Sequence, residues 1–335
     1  MLDTNRPLLS DGQLKVSVLL KTYNHEKWIA QAVESTLVQK TNFAYEVVIM
    51  EDCSTDSTRD IVTDLQRRYP DKIRLVLSEK NKGDNTNFIA AWQSSPSQYI
   101  AVLDGDDYWT SPHKLQRQVD FLDTHPECAM CFHNVVILYE EGSQEPWHRK
   151  YFPARKKIVA PEALLTEKNF IPSCSPMVRR SLISEFPVWF YDEKFADLAL
   201  YILVTQHGKI GYIDELMGAY RVHSGGVWSG LSKTQQTEEL IRFYKNVSRS
   251  VGFEQKNVLD STISSHRTKL IIRNSSIYQT LTAMTTNVGI NRIVRRILPM
   301  RLHHWLRSLA THRELVQLVA GALRARQRLR TRKRG

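Results

Sequence analysis

The chain has 335 residues, 42% hydrophobic and 24% charged, ordinary proportions for a folded protein that argue against wholesale disorder. Its length allows one large domain with an appendage, or two domains. The net charge of +11 is not evenly spread: residues 291–335 carry thirteen Lys or Arg against one acid, Glu314, so the basicity belongs to the tail.

The opening MLDTNRPLLSDGQLK has neither a basic start nor a long apolar run, so no secretory leader is expected. Nor does any window reach the roughly 18 uninterrupted apolar residues of a spanning helix. Cys53, Cys128, Cys131 and Cys174 then read as reduced thiols in the cytosol. Cys128 and Cys131 form a CxxC, but it falls on a strand pattern with no second pair, so core packing is the better reading than zinc or redox chemistry.

In chain order, residues 15–21 (KVSVLLK) form an apolar, β-branched strand followed by the polar turn Thr22-Tyr23-Asn24-His25. Residues 26–39 show a helical period through Trp28, Ile29, Ala32, Val33 and Leu37. A second strand over 45–50 ends in Glu51-Asp52, and Ser54 or Thr55 caps a helix through about Arg68, with Asp56 in its first turn. Residues 72–78 make a third strand and 85–93 a third helix. The fourth strand, 99–103, runs into Asp104-Gly105-Asp106-Asp107, and Pro112 opens the next helix, to Thr124.

This alternation with short connections predicts an α/β fold: a Rossmann-like, mostly parallel sheet flanked by helices. In such sheets ligands bind beyond the carboxyl ends of the strands. Thr22 to Asn24, Asp52 and Asp104 to Asp107 all fall there, so they can line one crevice. No GxGxxG follows the first strand, which weakens a dinucleotide-dehydrogenase reading. Three carboxylates in four positions need an offset for their repulsion, and a divalent cation is the simplest, a solvated acidic turn being the alternative.

Beyond residue 125 the pattern changes. Residues 128–139 form a long strand, 140–157 read as loop, and 161–166 as a short helix. Residues 171–178 are extended, and Phe195-Ala196-Asp197 precedes a helix over 198–206. Residues 209–213 and 217–221 read as two short strands around a turn. Val222-His223-Ser224-Gly225-Gly226 is a flexible loop, and 232–285 is helical in period.

Taken together, these segments resemble family 2 glycosyltransferases, inverting nucleotide-sugar-dependent enzymes of the glycosyltransferase A fold, over roughly residues 15–225. The matching stretches, in order, are VSVLLKTYN at 16–24, EDCSTD at 51–56, Asn81-Lys82-Gly83 with Asn87, LDGDD at 103–107, Ala196-Asp197, and YRVH at 220–223. The resemblance implies a metal-dependent transfer of a single sugar to a glycan or lipid-linked acceptor, in cell-surface polysaccharide assembly. Asp197 then stands at the position of the catalytic base; its alternative is a helix-start aspartate, and Ala196 departs from the acid common there. Thr22, Tyr23, Asn24, Asp52, Asn81, Asn87, Asp104, Asp107 and Arg221 fall to the nucleotide sugar, although Asp52 also reads as a helix cap. Asp104, Asp106 and His223 fall to a cation, Mn2+ or Mg2+. Trp109 and Trp228 either stack on sugar faces or belong to the core, and 225–228 reads as a closing loop. No QxxRW follows Asp197, against a processive polymerase. A non-catalytic nucleotide-sugar-binding relative and a metal-dependent phosphohydrolase are the alternatives.

The expected organisation is a tail over 1–13, a transferase domain over 14–230 (donor half 14–125, acceptor half 126–230), a helical extension over 231–290 and a basic amphipathic tail over 291–335. In that tail Ile293, Ile297, Leu302, Leu306 and Leu309 interleave with arginines, as in helices lying on anionic membranes. The expectation is a cytoplasmic enzyme, peripheral on the inner membrane face, with RNA binding or a solvated tail as the lesser readings and no nucleic-acid partner expected.

Overall fold

The computed structural model describes residues 14–83, 85–152, 154–166, 169–226, 231–250 and 253–274. The β-branched and aliphatic runs of the first half become four strands: β1 (Leu14–Thr22), β2 (Ala44–Glu51), β3 (Ile73–Leu77) and β4 (Tyr99–Asp104). Between them lie α1 (Ile29–Leu37), α2 (Thr58–Arg68) and α3 (Thr86–Gln93). The four strands are mutually parallel in the order β3-β2-β1-β4. Val16, Val18, Leu20, Val47, Ile49, Ala101 and Leu103 are buried, as expected where helices cover a parallel sheet. On α1, Ile29, Ala32 and Val33 supply the face that covers it.

After β3 the chain returns to the other side of β1, so strand order reverses between β1 and β4. That is the topological switch point where a crevice opens at the strands' carboxyl ends. Register places Lys21 beside Asp104 and Thr22 beside Glu51, so the polar ends of three strands meet at one place.

The second half makes the sheet mixed. Its elements are β5 (Tyr108–Trp109), α4 (Lys114–Thr124), β6 (Cys128–Tyr139), β7 (Gln144–Pro146), α5 (Trp147–Tyr151), β8 (Ile158–Val159), α6 (Ala163–Thr166), β9 (Met177–Arg179), α7 (Ala196–Thr205) and β10 (Lys209–Val222). Strand β9 lies antiparallel between β4 and β6, while β10 runs parallel beside β6 and carries β5 at its far side.

Three expectations are corrected here. The two short strands expected over 209–213 and 217–221 are one strand, β10, whose register shifts between Ile213 and Leu216 and again between Leu216 and Gly218; a bulge absorbs the polar residues that looked like a turn. The expected loop over 140–157 contains β7 and α5, three and five residues long, too short to show a period. Helix α2 begins at Thr58 with Ser57, not Ser54 or Thr55, at its N-cap, and Asp56 precedes its first turn; Ser54 and Thr55 instead bond Asn24 across to the first turn.

The chain divides into two compact units, one of residues 1–230 with 243–259 and one of residues 231–242 with 260–335. The first holds the whole sheet. Helices α8 (Lys233–Val247) and α9 (Phe253–Asn274) follow it, and among the described residues no helix is long and apolar enough to cross a membrane. The basic tail over 291–335 lies outside the described residues.

Candidate functional site

Three turns at the carboxyl ends of β1, β2 and β4 build the site. In the first, Asn24 takes the left-handed conformation (φ 55°), which asparagine tolerates better than most residues. Its Oδ1 accepts the Thr55 amide at 2.8 Å, and its own amide donates to Ser54 Oγ at 3.0 Å, locking the first turn to the second. Below them Glu51 is fully buried; its carboxylate accepts the Ser54 amide and the guanidinium of Arg59.

Asp52 follows, its amide held by the Thr22 carbonyl at 3.1 Å. Its carboxylate accepts the backbone N–H groups of Lys82 (3.2 Å) and Gly83 (2.9 Å) and the side-chain amide of Asn87 (3.2 Å). Gly83 has φ 58°, so the turn that wraps Asp52 uses glycine's freedom. Thr22, Asn24, Asp52 and Asn87 therefore belong to one hydrogen-bonded rim, on which Tyr23 and Asn81 are exposed.

The acidic turn is pressed against this rim. A Cβ on Gly105 would fall 2.7 Å from Thr22 Oγ1 and 2.8 Å from His25 Nδ1, so only glycine permits this approach. Asp104 pairs with Lys21, Nζ to Oδ1, at 3.1 Å. Burial acts to discharge Lys21, but Asp104, Asp197 and Asp106 together hold its pKa above the ordinary value. Asp106 Oδ2 lies 3.1 Å from His223 Nε2 and 3.8 Å from His25 Nε2. Burial alone would raise the Asp106 carboxyl; the His223 hydrogen bond and the nearby His25 hold it below the usual carboxylate range. The His223 ring packs on Trp28 with centroids 4.4 Å apart.

Asp107 points inward. It is 1% exposed, its Oδ1 accepts the Arg221 backbone N–H at 2.7 Å, and burial with the charge of Asp106 drives its pKa well above the ordinary value. Arg221 itself spans the turn: its guanidinium donates to the Asp106 carbonyl and to Gln31 Oε1, and it sits over the Tyr108 ring at 4.7 Å.

Asp197 enters from the acceptor half. It lies in the first turn of α7, where exposed amides favour a carboxylate. Asn169 Nδ2 donates to its Oδ2 at 3.4 Å, and burial raises its pKa above the ordinary value. Lys21, Asp104, Ser173 and Asp197 line a single small pocket, so the acidic turn and the late aspartate face the same space.

Other expectations fare differently. Trp109 is core: it is 4% exposed and its Nε1 donates to the Cys174 carbonyl at 2.9 Å, which withdraws it from any sugar face. Trp228 lies outside the described residues. Cys128 and Cys131 are buried strand residues, and burial pushes the Cys128 thiol up to about 11 and Cys131 further, the reverse of a reactive pair. Among the described residues no three His, Cys, Asp or Glu side chains are gathered as a metal cluster. Asp106 and His223 are together, but Asp104 is taken by Lys21.

Sequence reading missed Lys21, His25, Trp28, Arg59 and Asn169. Lys21 carried a signal, a charge ending an otherwise apolar strand. Arg59 and Asn169 carried none, because their partners lie 8 and 28 residues away and are joined to them only by the fold.

Comparison with known proteins agrees with this geometry. A family model described as glycosyl transferase family 2 matches residues 17–186. An uncharacterized glycosyltransferase of Nostoc sp. (strain PCC 7120) is 30% identical over 253 residues, 73% of this chain and 74% of that one. An uncharacterized protein of Mycobacterium tuberculosis is 35% identical over 220 residues, 64% of this chain and 60% of its own length, so the chain spans less than two thirds of that relative. Among solved structures, Staphylococcus aureus TarS (residues 1–349) in complex with UDP-GlcNAc shares the fold with a TM-score of 0.55 at 20% identity, covering 82% of this chain and 76% of that one. The mannosyltransferase PcManGT of Pyrobaculum calidifontis, in complex with GDP-Man and Mn2+, does so with a TM-score of 0.52 at 15% identity over 83% and 82%. With the family model covering half the sequence and the motif-bearing turns gathered at one switch point, the chain belongs to glycosyl transferase family 2.

Proposed function

We propose that this protein is an inverting glycosyltransferase, moving one sugar from a nucleoside-diphosphate sugar to a hydroxyl of a glycan or lipid-linked acceptor. The observation that carries this reading is that Asp197 and Asp104 line one pocket. Inversion by single displacement requires a proton acceptor on one side of the reacting carbon and a diphosphate leaving on the other. Asp197 is the proton acceptor; its raised pKa makes it a stronger base than an exposed carboxylate, and Asn169 orients it.

The donor nucleoside lies along the rim of Thr22, Tyr23, Asn24, Asp52, Asn81 and Asn87, with Asp104 toward the ribose. Asp107 acts through Arg221, whose backbone amide it fixes. Asp106 and His223 offer one carboxylate oxygen and one imidazole nitrogen at the same point, a donor set that suits manganese or magnesium. Asp106 and His223 would hold such a cation, which would supply positive charge for the departing diphosphate. The complexes of TarS with UDP-GlcNAc and of PcManGT with GDP-Man and Mn2+ support this assignment of donor and cation classes.

The acceptor belongs to cell-surface polysaccharide assembly in this reading, and the basic tail holds the enzyme on the inner membrane face. The test is transfer or donor hydrolysis with manganese, comparing wild type with Asp197→Asn and Asp106→Ala. Both substitutions should abolish turnover; turnover indifferent to either overturns the assignment.

A further inference from the structure

The pocket shared by Asp104 and Asp197 contains a second feature that proton abstraction does not use. Tyr201, on α7, lines it and is 1% exposed, yet its hydroxyl has no hydrogen-bond partner among the described residues. Buried hydroxyls are seldom left unpaired, so this one marks a place where a polar group from outside is accommodated. Lys21 lines the same pocket; its ammonium has three N–H donors, and Asp104 takes one of them. Donors (Tyr201, Lys21) and acceptors (the Asp104 and Asp197 carboxylates) thus converge on one space.

The walls limit what can enter. Phe88, Val102 and Leu200 close the pocket, leaving room for about one water-sized group. A hydroxyl fits both the size and the chemistry, since it donates to a carboxylate and accepts from the ammonium or the tyrosine. A carboxylate substituent would meet two carboxylates against one ammonium. A methyl or a hydrogen would leave Tyr201 unpaired, and sites built to bond a hydroxyl reject analogues that lack it far more strongly than apolar pockets reject a methylene.

We propose that this pocket reads one hydroxyl-bearing substituent of the transferred sugar, with Tyr201 and Lys21 as the residues that recognise it, so that the donor sugar is a neutral one hydroxylated at that position. The inference rests on the nucleotide-sugar reading above and deepens it.

The test is titration calorimetry of the full chain with UDP-GlcNAc, UDP-glucose and GDP-mannose, alongside UDP and GDP, all with manganese. Tyr201→Phe keeps the ring and removes only the hydroxyl; Lys21→Met removes the charge, and Lys21→Arg restores it. For the sugar nucleotide that wild type binds best, Tyr201→Phe should weaken binding about 3- to 10-fold and Lys21→Met about 10-fold or more, with partial recovery in Lys21→Arg. Binding of the parent diphosphate by Tyr201→Phe should stay within about 2-fold. Unchanged sugar-nucleotide binding in Tyr201→Phe overturns the proposal, as does an equal loss for sugar nucleotide and diphosphate, which would mean a general distortion. A wild type that binds neither class strikes down the transferase reading itself.

Discussion

Lys21 and Asp104 stand side by side at the carboxyl ends of adjacent parallel strands, Nζ and Oδ1 3.1 Å apart. The pair sets the polarity of the pocket that Asp197 also faces. It places a fixed cation in the pocket that the Asp104 and Asp197 carboxylates also line, so the site's charge is partly balanced before any substrate arrives.

Asp197→Asn should lower transfer about 10²- to 10⁴-fold while leaving donor affinity nearly unchanged, measured by turnover and by calorimetry. Because the carboxyl titrates above its ordinary value in the folded protein, the rate should fall with decreasing pH before a normal carboxylate would protonate. The stability consequence has the opposite sign. Between the unfolded and the raised folded pKa the folded state holds a proton that the unfolded state has lost, so this aspartate's contribution to stability declines as pH rises through that window. Asp197→Asn should therefore unfold at an equal or higher temperature than wild type at neutral pH; a clear loss of stability would count against it.

Gly105→Ala would push a methyl into Thr22 and His25, both of which hold backbone positions in the rim. Overpacking of this kind costs about 1–3 kcal/mol. The expected result is a lower thermal midpoint together with weakened nucleotide binding, both measurable on one preparation. Alanine tolerated without change in either would mean that the turns are not packed as described.

Arg59→Met should leave the buried Glu51 carboxylate without its guanidinium. Removing one partner of a buried pair costs about 3–5 kcal/mol, and the third of Arg59 that remains exposed places the expectation at the lower end, about 3 kcal/mol. Urea unfolding reads this directly. Replacing Glu51 by Gln in the same background should recover part of the loss, because the stranded charge is then gone.

Chelation should abolish transfer, and added manganese should restore it. His223→Ala and Asp106→Asn should each require more manganese for half-maximal rate, by about tenfold or more, since each removes one of the two groups that meet at that point. Transfer that persists in chelator at the wild-type rate would remove the cation from the reaction.

The basic segment over 291–335 should carry the protein onto vesicles containing anionic lipid, and raising salt should release it, with each Lys or Arg near the surface contributing roughly 1 kcal/mol at low ionic strength. A chain ending at residue 290 should remain in the supernatant. Equal sedimentation of both forms, or preference of the full chain for RNA over vesicles, would refute the membrane reading.

Much of the donor half was legible in the sequence because its elements are long and buried. The apolar runs of β1, β2 and β4 are bounded by turn residues, and α1 at nine residues is long enough to show its helical period, so local pattern and tertiary role coincide. Elements of two to five residues, such as β5, β7 and α5, have no room for a period, and β5 and β7 exist because β10 and β6 offer them hydrogen bonds. Trp109 shows the same limit for a single residue. Beside an acidic turn it suited a sugar face or the core equally, and the fold decides for the core: its indole N–H is consumed by the Cys174 carbonyl, 65 residues away.

What the sequence by itself determined is the order of the parts: strand ends carrying Thr22-Tyr23-Asn24, Asp52, Asp104 and Asp106, and a later helix start carrying Asp197. Composition and period suffice for that because each part is local. Only the tertiary structure decided which parts touch. Parallel pairing of β1 with β4 set Lys21 against Asp104, the missing side chain of Gly105 let the acidic turn meet Thr22 and His25, and the packing of α7 brought Asp197 and Tyr201 into the same pocket as Lys21 and Asp104. The physical reason is distance along the chain: residues 83 and 180 positions apart come together through register and close packing, which no local pattern encodes.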